Sequence, residues 1–201
     1  MREDNTMKMI VRIGSAAVLA AIATPAFAHT GTGPHMHGFV DGLTHPLGGL
    51  DHLLAMIAVG IWSSLAAGAA AGRRVWIIPA IFVGAMLAGA GLAQSGIALP
   101  AVETAIAMSV VALGALIAAG ARLPVGAGAA LVALFAVFHG YAHGIEATGP
   151  MVGYMAGFAI TTAVLHATGI LLGRAIAVAP LASRVLGAGI AASGAYLVAM
   201  S

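Results

Sequence analysis

Long apolar segments separated by short polar connections dominate the hydropathy pattern of this chain. Six such segments follow residue 45, and each is close to the ~20 residues that an α-helix needs to cross a bilayer. They are predicted at 46–71, 75–94, 100–120, 124–145, 150–173 and 181–200. The pattern predicts an all-α integral membrane protein built as a bundle of six transmembrane helices.

Prolines lie at the predicted boundaries of these helices. At the first position of a helix the missing proline N–H costs nothing, and the fixed φ suits the first turn. Five prolines are predicted to begin helices: Pro46, Pro100, Pro124, Pro150 and Pro180. Pro79 instead lies about one turn inside the second predicted helix, where we expect a mild kink.

The N-terminal residues 1–28 have the pattern of a cleaved secretory signal peptide. Basic residues precede an apolar stretch, and Ala26-Phe27-Ala28 supplies the small-x-small motif of a cleavage site. The mature chain is then predicted to begin at His29, outside the cytoplasm. An uncleaved signal anchor is the alternative, and it places the following segment on the same side of the membrane.

Residues 29–201 are predicted to form the membrane domain, which begins with a polar arm at 29–44. The arm is rich in Gly, Thr and His, and we expect it to be periplasmic and not helical. After cleavage, the α-amine and imidazole of His29 would form a bidentate metal chelator, and His35 and His37 add two imidazoles. A polar arm whose histidines have no metal role is the alternative.

The composition of the chain indicates that the bilayer is its solvent. The chain is 61% hydrophobic and 7% charged, whereas soluble domains carry about 25% charged residues. Its 28 glycines favour helices that pack closely together. The absence of cysteine excludes disulfides, thiolate metal sites and cysteine redox chemistry. A net charge of only +2 gives no basis for nucleic-acid binding.

Basic residues predict the orientation of the bundle. Beyond the signal peptide, all of them lie in the connections at one end of the predicted helices: Arg73, Arg74, Arg122, Arg174 and Arg184. By the positive-inside rule these connections are cytoplasmic. Six spans then place both the mature N-terminus and the C-terminus in the periplasm of a bacterial inner-membrane protein.

Histidines and carboxylates are concentrated in two stretches, at 45–52 and 139–146. Ionisable groups inside a membrane are costly and mark ion pathways, and imidazoles with carboxylates suit a borderline divalent cation. His45 and His52 are seven residues apart, which returns to nearly the same face of one helix. In the second stretch the spacing is i, i+4, i+7, which forms one stripe. The predicted ligands of one composite site at the periplasmic end are His45, Asp51, His52, His139, His143 and Glu146.

Several features allow a second interpretation. A proton relay through the two stretches is the main alternative to metal binding. Glu103 could join either network, or be an acid favoured by the dipole at the start of the third helix. His166, deep in the fifth helix, is either an inner relay ligand or a hydrogen-bonded interhelical histidine. The methionines are scattered and form no row of thioethers, which argues against Cu(I) as the cargo.

Two motifs resemble the signatures of the HupE/UreJ family of nickel/cobalt permeases. The first is H-P-x4-D-H at 45–52, followed by an apolar run, and the second is F-H-G-x-A-H-G-x-E at 138–146. The resemblance extends over essentially the whole chain. It implies secondary import of Ni²⁺ or Co²⁺, with the six predicted ligands as the functional residues. It also implies supply of the ion to the maturation of a nickel or cobalt enzyme.

The sequence therefore predicts a permease whose divalent metal ion is a transported substrate and not a cofactor. It contains no G-x4-G-K-[ST] motif, so direct use of ATP by this chain is not expected. An intramembrane metal-dependent hydrolase and a non-transporting, metal-binding accessory subunit are the alternatives, and only the hydrolase would be an enzyme. The expected partners are the metal ion and membrane lipid, with a homo-oligomer left open.

Overall fold

The computed structural model of the chain describes residues 38–68, 72–147 and 149–201. These ranges contain seven α-helices, one 3₁₀ helix and no strand. The α-helices are α1 (Gly38–Gly48), α2 (Leu50–Ala67), α3 (Ile77–Gln94), α4 (Val102–Ala119), α5 (Val125–Glu146), α6 (Met151–Ile176) and α7 (Pro180–Met200), and the 3₁₀ helix is Gly72–Trp76. The predicted signal peptide and the first part of the predicted arm, with His29, His35 and His37, lie outside the described residues.

Six of the described helices are long and apolar enough to cross a membrane: α2, α3 with the preceding 3₁₀ turn, α4, α5, α6 and α7. The chain is thus an all-helical, multi-pass membrane protein, as predicted. The last five predicted helices begin and end within three residues of the observed boundaries. Hydropathy was sufficient for these segments because each is one uninterrupted apolar helix.

The first predicted helix, 46–71, is wrong, because two helices meet there. α1 ends at Gly48, and α2 begins at Leu50 after Gly49, whose φ of −105° and ψ of 126° are those of extended backbone. Residues 38–44 were expected to be a non-helical arm, but they belong to α1. The polar and glycine-rich sequence of α1 favours a helix only weakly, and its contact with α6 stabilises it.

Pro46 lies inside α1 and does not begin a helix, contrary to the prediction. A proline there removes the N–H that would bond to the carbonyl of Gly42, one turn earlier. The helix ends two residues later, at Gly48. Gly42 itself lies against the backbone of Tyr154 in α6, so α1 is held at the point where its own hydrogen bonding is weakest.

The other prolines follow the predicted pattern more closely. Pro124 and Pro150 directly precede α5 and α6, and Pro180 is the first residue of α7. Pro100 lies two residues before α4 and is separated from it by one residue. Pro79 is the third residue of α3 and therefore lies in its first turn, where a proline breaks no intrahelical hydrogen bond and requires no kink.

The helices are arranged in close pairs. α1 and α2 both pack along α6, α3 packs against α5, and α4 packs against α7. Gly60 and Gly169 meet where α2 crosses α6, and Gly89 of α3 contacts the backbone of Val137 in α5. A side chain at either crossing would force the backbones apart. These contacts fix the position of α2 against α6 and of α3 against α5.

We predict that Gly89→Ala destabilises the folded protein, whereas Gly91→Ala does not. The added methyl group at Gly89 would overlap the carbonyl oxygen of Val137, while nothing lies within 4 Å of the equivalent position at Gly91. Overpacking typically costs about 1–3 kcal/mol. Thermal unfolding of both variants in detergent measures the difference, and both carry the same gain in helix propensity. Equal unfolding temperatures would contradict the close contact between α3 and α5.

Candidate metal centre

Three histidines from two helices meet inside the bundle. His52 lies in the first turn of α2, and His139 and His143 lie one turn apart near the end of α5. The ring centroid of His52 is 4.8 Å from that of His139 and 4.4 Å from that of His143. All three are buried, and one nitrogen of each lies within 4.8 Å of the others. We refer to these three histidines as the buried group.

A second set of ligand atoms lies beside the first and is partly exposed. The Nε2 atom of His45 lies 3.0 Å from Oε2 of Glu146, and the Nδ1 atom of His143 lies 3.7 Å from the same oxygen. The side chain of His45 is 37% exposed and that of Glu146 is 48% exposed. We refer to His45, His143 and Glu146 as the accessible group, since two of its three side chains are partly exposed.

His143 belongs to both groups and joins them into one histidine centre. Its ring centroid lies 4.9 Å from that of His45 and 3.8 Å from that of Phe158, which packs on the imidazole. His45 and His52 were expected to share one helix face, but they lie on different helices. They come together because both contact His143.

Asp51 belongs to neither group, although it was predicted as a ligand. Its Oδ1 atom lies 2.7 Å from both Nδ1 and the backbone nitrogen of His52. A carboxylate oxygen accepts, so Nδ1 of the neutral His52 is the donor and Nε2 keeps its lone pair. Metal-binding histidines are commonly oriented by such a carboxylate. In this structure Asp51 therefore orients His52 and lies outside both groups.

Ser109 of α4 has a corresponding role for His139 and was not predicted. Its hydroxyl donates to the carbonyl of Ile106 over 2.6 Å, and its oxygen lies 3.0 Å from Nε2 of His139. Because the single hydroxyl proton is already donated, Nε2 of His139 is the donor and Nδ1 keeps the lone pair. The only signal in the sequence was a polar residue inside an apolar helix.

Four imidazole nitrogens of the centre are buried and have no hydrogen-bond partner among the described residues. They are Nε2 of His52, Nδ1 of His139 and both nitrogens of His143. Buried polar atoms almost always have a partner, and an unpaired one is costly. Three of these nitrogens carry lone pairs, since neutral His143 keeps a proton on one of its two. A cation with an affinity for neutral imidazole would satisfy these lone pairs, and the carboxylate of Glu146 would offset part of its charge.

The remaining predicted residues lie at the edge of the centre or outside it. Glu103, in the first turn of α4, is close enough to Asp51 and Glu146 to interact with both electrostatically, but it belongs to neither group. His166 is buried in α6, and the ring of Phe82 lies between it and His139, with centroid distances of 5.1 and 5.6 Å. Phe82 was also not predicted.

These features define a multi-pass helical membrane protein with a histidine–carboxylate centre between its helices. A family model described as HupE / UreJ protein matches residues 17–197, and the chain belongs to this family. Protein HupE of Rhizobium leguminosarum bv. viciae is 45% identical over 184 residues, which cover 90% of this chain and 94% of that protein. No solved structure gives a significant match. Membership confirms the family resemblance, and it implies a function related to nickel or cobalt transport and not an enzyme activity.

We predict distinct tautomers for the neutral histidines of the metal-free protein. His52 should carry its proton on Nδ1, because Asp51 accepts it, and His139 should carry its proton on Nε2, because Ser109 accepts it. Proton–nitrogen correlation NMR of ¹⁵N-histidine-labelled protein distinguishes the two forms. Ser109→Ala should change the tautomer populations of His139 and leave His52 as it was. An Nε2–H tautomer at His52 would contradict the orienting role of Asp51.

Proposed function

We propose that this chain is a secondary transporter that imports Ni²⁺ or Co²⁺ across the bacterial cytoplasmic membrane through the histidine centre. The observation that supports this most directly is the set of four buried imidazole nitrogens without partners in the described part of the chain, beside a partly exposed His–Glu pair. Purely structural histidines would have satisfied both nitrogens within the bundle. Membership in the HupE/UreJ family supports nickel or cobalt as the substrate.

The proposed ligands divide into two kinds. Neutral imidazoles supply affinity for a borderline divalent cation, and Glu146 supplies negative charge. Asp51 adds a second negative charge nearby and orients the imidazole of His52. Because the chain has no cysteine, thiolate ligands are not available to draw softer ions into the site. The proposed ligands are His45, His52, His139, His143 and Glu146.

The distribution of charge supports an inward direction of transport. The arginines lie in the connections after α2 and α4, in the last turn of α6 and in the first turns of α7. The histidine centre lies at the opposite ends of α2 and α5. By the positive-inside rule, the end of the bundle that carries the arginines is cytoplasmic. The centre then opens to the periplasm, where both termini of the mature chain also lie. The N-terminal histidines His29, His35 and His37 would capture ions there.

The exposure of the ligands suggests an order of binding. An ion from the periplasm would first meet His45 and Glu146, whose side chains are partly exposed, and would then pass to the buried His52 and His139. Carboxylate at the entrance attracts cations and raises their local concentration. The ion would be released at the cytoplasmic end, where it would supply the maturation of a nickel or cobalt enzyme.

We predict that His143→Ala abolishes Ni²⁺ uptake, whereas His45→Ala only reduces it. Loss of His143 removes a ligand from both groups, while loss of His45 leaves the buried group complete. For His143→Ala, uptake into proteoliposomes should fall to the level of empty liposomes. For His45→Ala, the fold loss of uptake should be at least ~10-fold smaller. Thr168→Ala, an exposed position in α6, is the matched control.

Two outcomes of this experiment would contradict the proposal. Wild-type rates for His143→Ala, at equal reconstitution, would exclude the histidine centre as the transport site. A wild-type protein that binds Ni²⁺ but never moves it into liposomes would favour the accessory subunit.

We also predict that Asp51→Asn retains more Ni²⁺ affinity than Asp51→Ala. Asparagine keeps an oxygen that can accept from Nδ1 of His52, whereas alanine leaves the imidazole free to rotate. Loss of an orienting partner typically costs about 10–100-fold in metal affinity. Equilibrium binding to detergent-solubilised protein measures both variants. If the two variants are equally impaired, the charge of Asp51 matters more than its hydrogen bond, and a direct ligand role is favoured.

A further inference from the structure

A second cluster of buried side chains lies one helical turn beyond the histidine centre. His166 of α6 is completely buried, and its Nδ1 atom lies 2.8 Å from the carbonyl oxygen of Met56 in α2. A carbonyl oxygen can only accept, so Nδ1 is the donor and Nε2 keeps the lone pair. This Nε2 atom is buried and has no hydrogen-bond partner in the described part of the chain.

Two thioether sulfurs converge on a hydroxyl that lies one turn before His166. Thr162 lies one turn earlier on the same face of α6, and its hydroxyl is 3.4 Å from Sδ of Met56 and 3.9 Å from Sδ of Met86. All four side chains are fully buried. The expectation that the methionines are merely scattered is therefore wrong at this place, because α2 and α3 bring together two methionines that are distant in sequence.

One aromatic ring separates this cluster from the histidine centre. Phe82 of α3 contacts both the ring of His139 and the ring of His166. Along α2, Met56 follows His52 by one turn, a rise of ~6 Å. The cluster is therefore the next set of ligand-type atoms that an ion would meet after the buried group.

We propose that Nε2 of His166 and the sulfurs of Met56 and Met86 form a second cation site, occupied by the imported ion after it leaves the buried group. The proposal rests on the import function proposed above. We refer to these three residues as the inner site. It would take a borderline or soft cation, since imidazole and thioether suit these ions, whereas Mg²⁺, Ca²⁺ and Mn²⁺ prefer oxygen ligands.

The absence of charge among these ligands gives the inner site its function. α3 and α6 contain no Asp or Glu, and α2 contains only Asp51, in its first turn. Uncharged ligands hold a divalent cation less firmly than a group that contains a carboxylate. Conduction requires binding that is weak enough to permit release. The inner site would therefore pass the ion onward and select against hard cations that had entered the accessible group.

The double variant Met56→Leu/Met86→Leu tests this role, because leucine conserves volume and removes sulfur. Met155→Leu is the matched control, since Met155 is also buried but lies in α6, outside the inner site. We expect the double variant to bind Ni²⁺ at the histidine centre with wild-type affinity in detergent, but to import it into proteoliposomes at least ~10-fold more slowly. His166→Ala should show the same separation of binding from uptake. Wild-type uptake in both variants would overturn the role of the inner site in transport.

A second measurement does not depend on transport. Silver ion is a soft probe that binds thioethers and imidazoles, and calorimetric titration counts the ions bound by protein in detergent. Wild-type and Met155→Leu proteins should each bind one more Ag⁺ than the double variant. Equal numbers would overturn the inner site itself. If the extra Ag⁺ is present but wild-type protein moves no Ni²⁺, the import function fails while the inner site stands.

Discussion

Close contact between helix backbones, made possible by glycine, determines where the histidines of the centre lie. In lipid there is no hydrophobic force that drives helices together, so they associate through small residues that allow near approach. Gly140 and Gly144 follow His139 and His143 directly in α5, and both pack against the backbone of α3. The turns that hold two ligands are therefore the same turns that hold α5 against its neighbour.

Fixed hydrogen-bond acceptors then determine how the imidazoles are oriented. His52 is paired with a carboxylate, His139 with a serine oxygen and His166 with a backbone carbonyl. Each acceptor takes the single proton of a neutral ring and leaves the other nitrogen as a lone-pair donor. A polar interior of this kind is costly in a membrane unless a cation completes it. Each ring is thus held by a fixed hydrogen bond on one side, and on the other side it keeps a nitrogen lone pair that could bind a cation.

Much of the fold could be predicted from the sequence, because the spans from α3 to α7 are continuous apolar segments with prolines near their starts. The first span could not, since α1 is stabilised by its contacts with Tyr154 and Gly157 of α6 and not by its own propensity. Local spacing identified the ligand-type residues but not their arrangement. Ser109, Phe82 and the convergence of Met56 with Met86 depend on packing between helices that are distant in sequence.

The sharing of His143 between the two groups has a consequence for the energetics of movement. A dication released into hydrocarbon without ligands would cost tens of kcal/mol. Under the proposed import, an ion that moves from the accessible group to the buried group never leaves the reach of His143. Its other ligands can then be substituted one at a time, as in associative exchange at a metal complex. A single imidazole would in this way replace one high activation barrier with several low ones.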